Sequence, residues 1–318
     1  MHIAVVRTML TCLTPRQIVQ VLPGTQDTYS RWVRRKQGST MMIAPESTVF
    51  ADGITRLHWI KDVSGSPKSI VLFFHGGGYN APLSDGHLDW CYNMFLGTKS
   101  QGNHVAVALL QYVLTPENRY PAQLRQARDA LQYLLDLNFD PANIIIGGDS
   151  AGGNLALGLL SHIMHPHPSI ESLNMAGPLR GAFLVSPWLT NDASTRSFRD
   201  KADIDMLSPA LIRRSAEDYL PETSPEGWAL AMAAPKDWWT DLRTAVEEVY
   251  LTVGEHELFR DHVVEFSETL KRHQGGTNVR FEVGRGEAHD HILTLHFRRT
   301  AVDPPLERML DWLRCVLK

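Results

Sequence analysis

The chain is short of the features that announce several classes of protein. It has three cysteines in 318 residues, Cys12, Cys91 and Cys315. These are too few and too scattered for a disulfide framework or a zinc cluster, which points to a reducing compartment and gives the thiols a packing role. No apolar run approaches the roughly 18 to 20 residues of a membrane span. The moderately apolar start, "MHIAVVRTMLTCLTPRQIVQVL", is interrupted by Arg7 and shows no clear small-residue cleavage site, so it is not read as a secretory signal. The expected location is therefore the cytoplasm. Charge of either sign is not in excess: a net charge of -4 with 21% charged residues gives no electrostatic case for nucleic acid or an anionic membrane. There is no Gly-x-x-x-x-Gly-Lys run, and "GRGE" lacks the rest of a dinucleotide fingerprint, so a phosphate cradle has no support. Repeats, low-complexity tracts and long linkers are also missing. The hydrophobic fraction, 43%, is that of an ordinary globular protein with enough chain for a large core.

What the chain does have is alternation. Strand-like, largely aliphatic runs fall at Arg56 to Ile60, Ile70 to Phe74, His104 to Gln111, Asn143 to Gly147, Gly181 to Ser186, Glu248 to Val253 and Val279 to Val283. Between them lie helix-like segments at Leu88 to Thr98, Pro121 to Leu137, Ser150 to Met164, Asp261 to His273 and Pro305 to Leu317, the fourth read as starting from Asp261 as N-cap. Such alternation predicts an α/β fold with a mostly parallel sheet covered on both faces. Two regions break the pattern: about the first 40 residues read as helices, and Asn191 to Thr240 carries no strand signal. Together they are expected to form a helical cap over the carboxyl ends of the strands, where α/β folds bind ligands. "HIMHPHPSIES" reads as an exposed loop.

The most informative stretch is "IIIGGDSAGGNLALGLL". A buried strand runs into Gly148-Asp149-Ser150-Ala151-Gly152, which satisfies Gly-x-Ser-x-Gly, and then into a helix. Small flanking residues let the backbone turn sharply and hold the Ser150 hydroxyl out above the sheet. A serine hydroxyl needs a base to become a nucleophile, and the oxyanion it creates needs donors already in place. For the donors, "SIVLFFHGGGYN" runs a strand into His75-Gly76-Gly77-Gly78-Tyr79, whose glycines allow backbone N–H groups to point into a cavity. The expected oxyanion hole combines Ala151 N–H with that of Gly77 and one of Gly76 or Gly78. For the acid and base, chain order places them after the serine, acid first. In "VGEHELFRDH" the acids are Glu255, Glu257 and Asp261; Asp261 is accounted for as a cap and Glu255 lies close to the strand end, which selects Glu257. In "VGRGEAHDHIL" the bases are His289 and His291, and His289, nearer the strand and just after a glycine-containing turn, is selected over His291.

These motifs together, "HGGGY", "YVLTPENRYPAQL", "GDSAGG", "GEHELFRD" and "GEAHDH", resemble the hormone-sensitive-lipase-like family of α/β hydrolases over nearly the whole chain. The resemblance implies one α/β-hydrolase domain over residues 1–318, with a cap from about 1–40 and 191–240, and the activity of a carboxylesterase-type serine hydrolase. It carries onto Ser150 as nucleophile, Glu257 as acid, His289 as base and the His75 to Gly78 loop as oxyanion hole. The family more often has aspartate at the position of Glu257 and a hydrophobic residue at that of His291. "GGDSAGGNLALGLLSHIMHPHP", "SPWL" and the Trp238-Trp239 pair are similar to fungal hydrolases encoded beside secondary-metabolite pathways, which implies a small or medium ester as substrate. Tyr79 and Trp188 are the expected pocket walls. The set leaves acyl transfer or cyclisation on the same serine open, and a non-catalytic binding protein as a lesser alternative. The histidines at 162, 165 and 167 and at 289, 291 and 296 do not make a metal site on this reading, Arg34-Arg35-Lys36 reads as a solvated helix face, and no cofactor is implied. Oligomeric state has no signal.

Overall fold

The computed structural model of the chain describes residues 12–37, 46–62, 66–100, 102–221, 226–273, 275–297 and 303–317. Eight strands form one sheet: β1 (Glu46–Val49), β2 (Arg56–Ile60), β3 (Ser69–Phe74), β4 (Val105–Gln111), β5 (Ile144–Asp149), β6 (Leu179–Val185), β7 (Val246–Gly254) and β8 (Asn278–Gly284), in the spatial order β1-β2-β4-β3-β5-β6-β7-β8. The β1–β2 and β2–β4 pairs are antiparallel and every later pair is parallel. All seven predicted strands are present. The eighth, β1, is an unpredicted short edge strand of Glu46, Ser47, Thr48 and Val49.

Because successive strand side chains point to opposite faces, the central strands divide their residues between two cores. Leu72, Phe74, Ala108, Leu110, Ile146 and Leu184 pack with α4 (Ala122–Asp136) and α5 (Ser150–Met164) on one face. Val71, Phe73, Val107, Leu109, Ile145 and Phe183 pack with α2 (Thr25–Gln37), α3 (Asp85–Lys99) and α10 (Pro304–Val316) on the other. Strands buried on both sides read as continuous apolar runs, which is why the sequence revealed them. Truncating a ring such as Phe73, fully buried here, costs about 3–5 kcal/mol.

The N-terminal region is helical in its described parts, α1 (Pro15–Val21) and α2, but α2 lies on the face of the sheet. Tyr29 Oη donates to Trp59 O at 2.7 Å, Trp32 Nε1 to Asp89 Oδ1 at 2.8 Å, and Arg35 and Lys36 pair with Asp85 and Asp89 of α3. So α2 is a buttress of the second core; Arg34 and Arg35 are exposed, as expected of a solvated helix face, with Arg35 and Lys36 also reaching α3. Residues 1–11, 38–40 and 222–225 of the expected cap lie outside the described residues. Only Cys91 has the expected packing role; Cys12 and Cys315 are exposed.

The 191–240 segment contains α6 (Arg196–Asp200) and α7 (Pro209–Tyr219), followed by 3-10 turns before α8 (Leu242–Ala245) leads into β7. It grips α5 at two heights. Near the helix start, Asn154 Nδ2 donates to Ala229 O at 2.9 Å. At the far end, Trp238 Nε1 donates to Ser161 Oγ at 3.2 Å and Trp228 Nε1 to His165 O at 2.6 Å. His162 and His167 are buried there, so the loop expected to be exposed is exposed only in part. None of the three histidines is idle: His162 Nε2 meets Glu171 O, His165 Nε2 meets Trp238 O, and His167 Nδ1 accepts Ser169 N–H.

Candidate active site

Ser150 is the first residue of α5 and has φ +49°, the sharp strand-to-helix turn that the glycine spacing predicts. A Cβ at Gly148 or Gly152 would collide with the carbonyl oxygen of Phe74 at the end of β3, so both positions need glycine for the turn to sit this close to its neighbour. Asp149, the residue before Ser150, does not cap α5. Its carboxylate turns to the other side, accepting Gly76 N–H on Oδ1 at 3.1 Å and His87 Nε2–H on Oδ2 at 3.1 Å. His87 Nδ1 accepts Ser84 N–H, which leaves its proton on Nε2, aimed at Asp149. Burial alone would raise the Asp149 carboxyl, but His87, with His75 and the Gly76 N–H, outweighs it and holds it below the ordinary carboxylate range. The first amides of α5 are thus left without a side-chain cap at the positive end of the helix, an arrangement suited to an anion.

The glycine loop is wound through successive left-handed residues, Gly77 at φ +106°, Gly78 at +61° and Tyr79 at +64°. Its base is fixed by His75, fully buried, whose carbonyl accepts Tyr112 Oη–H at 2.6 Å while the two rings stack at 4.3 Å. Burial, with His87 beside it, pushes the His75 imidazole down to about 3, so it is neutral. Gly76 needs a correction as an oxyanion donor, because Asp149 already holds its N–H; Gly77 and Gly78 are the amides this loop has left to offer. Tyr79 and Trp188 are both sealed from solvent. Tyr79 Oη donates to Asn154 Oδ1 at 2.5 Å and its ring stacks on Tyr219 of α7 at 3.9 Å; Trp188 donates its backbone N–H to Ser150 O at 3.0 Å and Nε1–H to Thr190 O at 2.8 Å. Both rings lie against Tyr219 of the 191–240 segment.

Of the three competing acids, only Glu257 reaches a histidine. Its Oε2 lies 3.0 Å from His289 Nδ1, both residues being buried beyond the ends of β7 and β8. Glu257 Oε1 accepts Ser186 Oγ–H at 2.5 Å and Gly254 N–H at 2.5 Å. Glu255 is exposed at its carboxylate and accepts Gly286 N–H. Asp261 lies inside the first turn of α9 (Arg260–His273), and so is not its N-cap; it bonds Ser197 N–H and the Arg260 side chain. His291 opens a 3-10 turn and lines a small cavity behind Glu257 with Thr252, Glu287 and Arg308.

Three contacts were not foreseen. Ser186, at φ +47° just past β6, links its strand end to Glu257. Asp205, from the 191–240 segment, accepts Leu258 N–H at 2.7 Å and His289 N–H at 3.3 Å. Asp290 Oδ2 lies 3.0 Å from His289 Nε2. Among the described residues the Ser150 hydroxyl makes no hydrogen bond to His289; Nε2 faces Asp290. Burial would lower the His289 imidazole, but Asp290 and Glu257 override it and hold it well above its ordinary value of 6.5.

Residues 71–293 match the alpha/beta hydrolase fold family. An acetyl-hydrolase of Streptomyces hygroscopicus is 29% identical over 244 residues, covering 75% of this chain and 73% of the relative. Carboxylesterase NlhH of Mycobacterium tuberculosis is 27% identical over 236 residues, covering 71% and 68%. Among solved structures, an esterase from the bacterial hormone-sensitive lipase family superposes with a TM-score of 0.71 at 21% identity, covering 99% of this chain and 98% of that one. An esterase/lipase from an uncultured bacterium gives 0.72 with the same coverage and identity. These structural likenesses carry the fold. No described helix is long and apolar enough to cross a membrane.

Proposed function

This chain belongs to the alpha/beta hydrolase fold family and is a carboxylesterase-type hydrolase, and from that premise we propose that it hydrolyses a small ester with a short acyl group through an acyl-serine intermediate on Ser150. The observation that carries the reading is the buried Glu257–His289 contact, 3.0 Å on Nδ1, at the same sheet edge that presents Ser150. Glu257 fixes the ring with its proton on Nδ1, so that Nε2 is the nitrogen able to take a proton. His289 Nε2 accepts the Ser150 Oγ proton as Oγ bonds to the ester carbon. The oxyanion formed is met by the N–H groups of Ala151, Gly77 and Gly78. The intermediate collapses, the C–O bond to the alcohol breaks, and His289 returns the proton to the departing alkoxide. Water, deprotonated by His289, then attacks the acyl-serine ester; the Oγ–C bond breaks, His289 returns the proton to Ser150 Oγ and the acid leaves. No step calls for a cofactor.

Closure of the site supports a short acyl group. Tyr219 stacks over Tyr79, Asn80 Nδ2 donates to Ser215 Oγ of α7 at 3.3 Å, and Asn154 is bonded to Ala229. The 191–240 segment is the roof on this reading. A relative named acetyl-hydrolase points the same way. The sequence likeness to fungal secondary-metabolism hydrolases extends the proposal to a compact metabolite ester acted on in the cytoplasm. Brief mixing with p-nitrophenyl acetate, acid quenching and mass spectrometry should find acetyl on Ser150, and turnover in isotopically labelled water should put the label into acetate. Acetyl on another residue, or product acid without label, sinks the mechanism.

A further inference from the structure

His289 is held between two carboxylates, and they are not held alike. Glu257 on Nδ1 is held on both oxygens: the other one accepts both Ser186 Oγ–H and Gly254 N–H. Asp290 on Nε2 has its remaining oxygen, Oδ1, buried without a hydrogen-bond partner among the described residues. An unpaired buried carboxylate oxygen is costly, so this contact is the one that can be given up. The backbone of Asp290 is also left-handed, φ +48°, a conformation that aspartate adopts more readily than most residues other than glycine and that here aims its side chain back at the His289 ring. A carboxylate serving only to fill space would have both oxygens satisfied, as Glu257 does.

We propose that Asp290 is a positioning residue that clamps His289 Nε2 in the resting enzyme, so that its charge sets the pH above which His289 can take the Ser150 proton. The inference rests on the assignment of Ser150 and His289 made above. With Nδ1 on Glu257 and Nε2 on Asp290 the ring is an imidazolium donating from both nitrogens; base catalysis requires the Nε2 proton to leave and Asp290 to give way to Ser150. The groups facing the pair from neighbouring elements are Glu257 after β7, Asp205 on the His289 amide and Asp149 at the end of β5, with the Phe259 ring edge-on to the imidazole at 5.3 Å. Burial, with Asp149 and Glu257 adding to it against the pull of His289, lifts the Asp290 carboxyl to about 7, so its charge changes in the neutral range. Removing that charge lowers the proton affinity of His289 and leaves Glu257 in place.

The test is the pH profile of kcat/KM for p-nitrophenyl acetate in wild type, Asp290→Asn and Asp290→Ser, with Ser150→Ala as control. The acid limb of both Asp290 variants should move to lower pH, raising the ratio of activity at acid to alkaline pH about tenfold for each unit moved. The rate at which a fluorophosphonate labels Ser150 should shift in parallel, since it reports His289 without deacylation. Acid limbs that stay at the wild-type position in both variants, with Ser150→Ala inactive, overturn the role of Asp290 alone. Full activity in Ser150→Ala overturns the active-site assignment and the clamp with it.

Discussion

Asp205 accepts the backbone N–H of His289 at 3.3 Å and that of Leu258 at 2.7 Å, so one side chain of the 191–240 segment ties together the loops that carry acid and base. Hydrogen bonds to a charged acceptor are worth about 1.5–3 kcal/mol each. Asp205→Ala should therefore lower the melting temperature and reduce kcat about tenfold or more with little change in KM, because the loops lose their common anchor while the pocket is intact. A variant with wild-type kcat would make Asp205 a structural residue only.

Ser150→Ala is expected to fold normally, since its side chain makes no hydrogen bond among the described residues, and to lose most turnover of p-nitrophenyl acetate. Residual catalysis of roughly 10³–10⁴ over water should persist from the oxyanion donors and binding. Thermal melting run beside the assay separates lost chemistry from lost fold.

Ser186→Ala removes one of the two donors that hold Glu257 Oε1. Glu257→Gln replaces the carboxylate at His289 Nδ1 and should cost about 10⁴ in kcat; Ser186→Ala should cost far less, about tenfold, because Gly254 still holds the carboxylate. The order of these two losses is the check: equal losses would mean that Ser186 acts by some route other than Glu257.

The share of stability that rests on His75 should fall as pH falls below neutrality, while His289 and Asp290, which bind protons more tightly in the fold, act the other way. His75 is buried neutral, its imidazole pushed down to about 3, while in the unfolded chain it titrates near 6.5. Between those values the unfolded state binds more protons at this site, so this share is full above 6.5 and declines progressively as pH drops toward 3. His58, His162 and His262, also lowered chiefly by burial, act in the same direction. Denaturant midpoints measured from pH 7 to 4 should show this share as a difference, His75→Gln losing less over the range than wild type. A slope unchanged by that replacement would remove His75 from the account.

Tyr219 closes the wall beside the glycine loop through its 3.9 Å stack on Tyr79. Tyr219→Ala opens apolar space there at a cost of about 3–5 kcal/mol in stability. Each methylene that finds new wall gains about 0.8 kcal/mol, so the ratio of kcat/KM for p-nitrophenyl butyrate, two methylenes longer, over acetate should rise about tenfold. An unaltered ratio would place the acyl pocket elsewhere.

The sheet and the motif residues were legible because their signals are local. Strands buried on both faces are unbroken aliphatic runs, and a serine between glycines at a strand end announces its turn. What escaped the sequence depends on which way a group points. Nothing in "HGGG" says that the first glycine amide faces Asp149, since His87, the other partner of that carboxylate, comes from α3. Asp205 and Ser186 sit far from Glu257 and His289 along the chain and meet them only across folded loops. Asp290 was visible beside His289, but its left-handed backbone was not. The edge strand β1 went unseen because four residues with polar Ser47 and Thr48 at their centre show neither alternation nor an apolar run.

The 191–240 segment is fastened to α5 near both ends, at Asn154 and at Ser161 and His165. Residues 228–238 of the segment are thus braced against a rigid rod at two points, and on the proposed reading substrate enters past this brace. The enzyme's selectivity is then that of a sieve whose mesh is set when the chain folds, so solvent viscosity should bear on encounter with the ester and leave the steps after binding untouched.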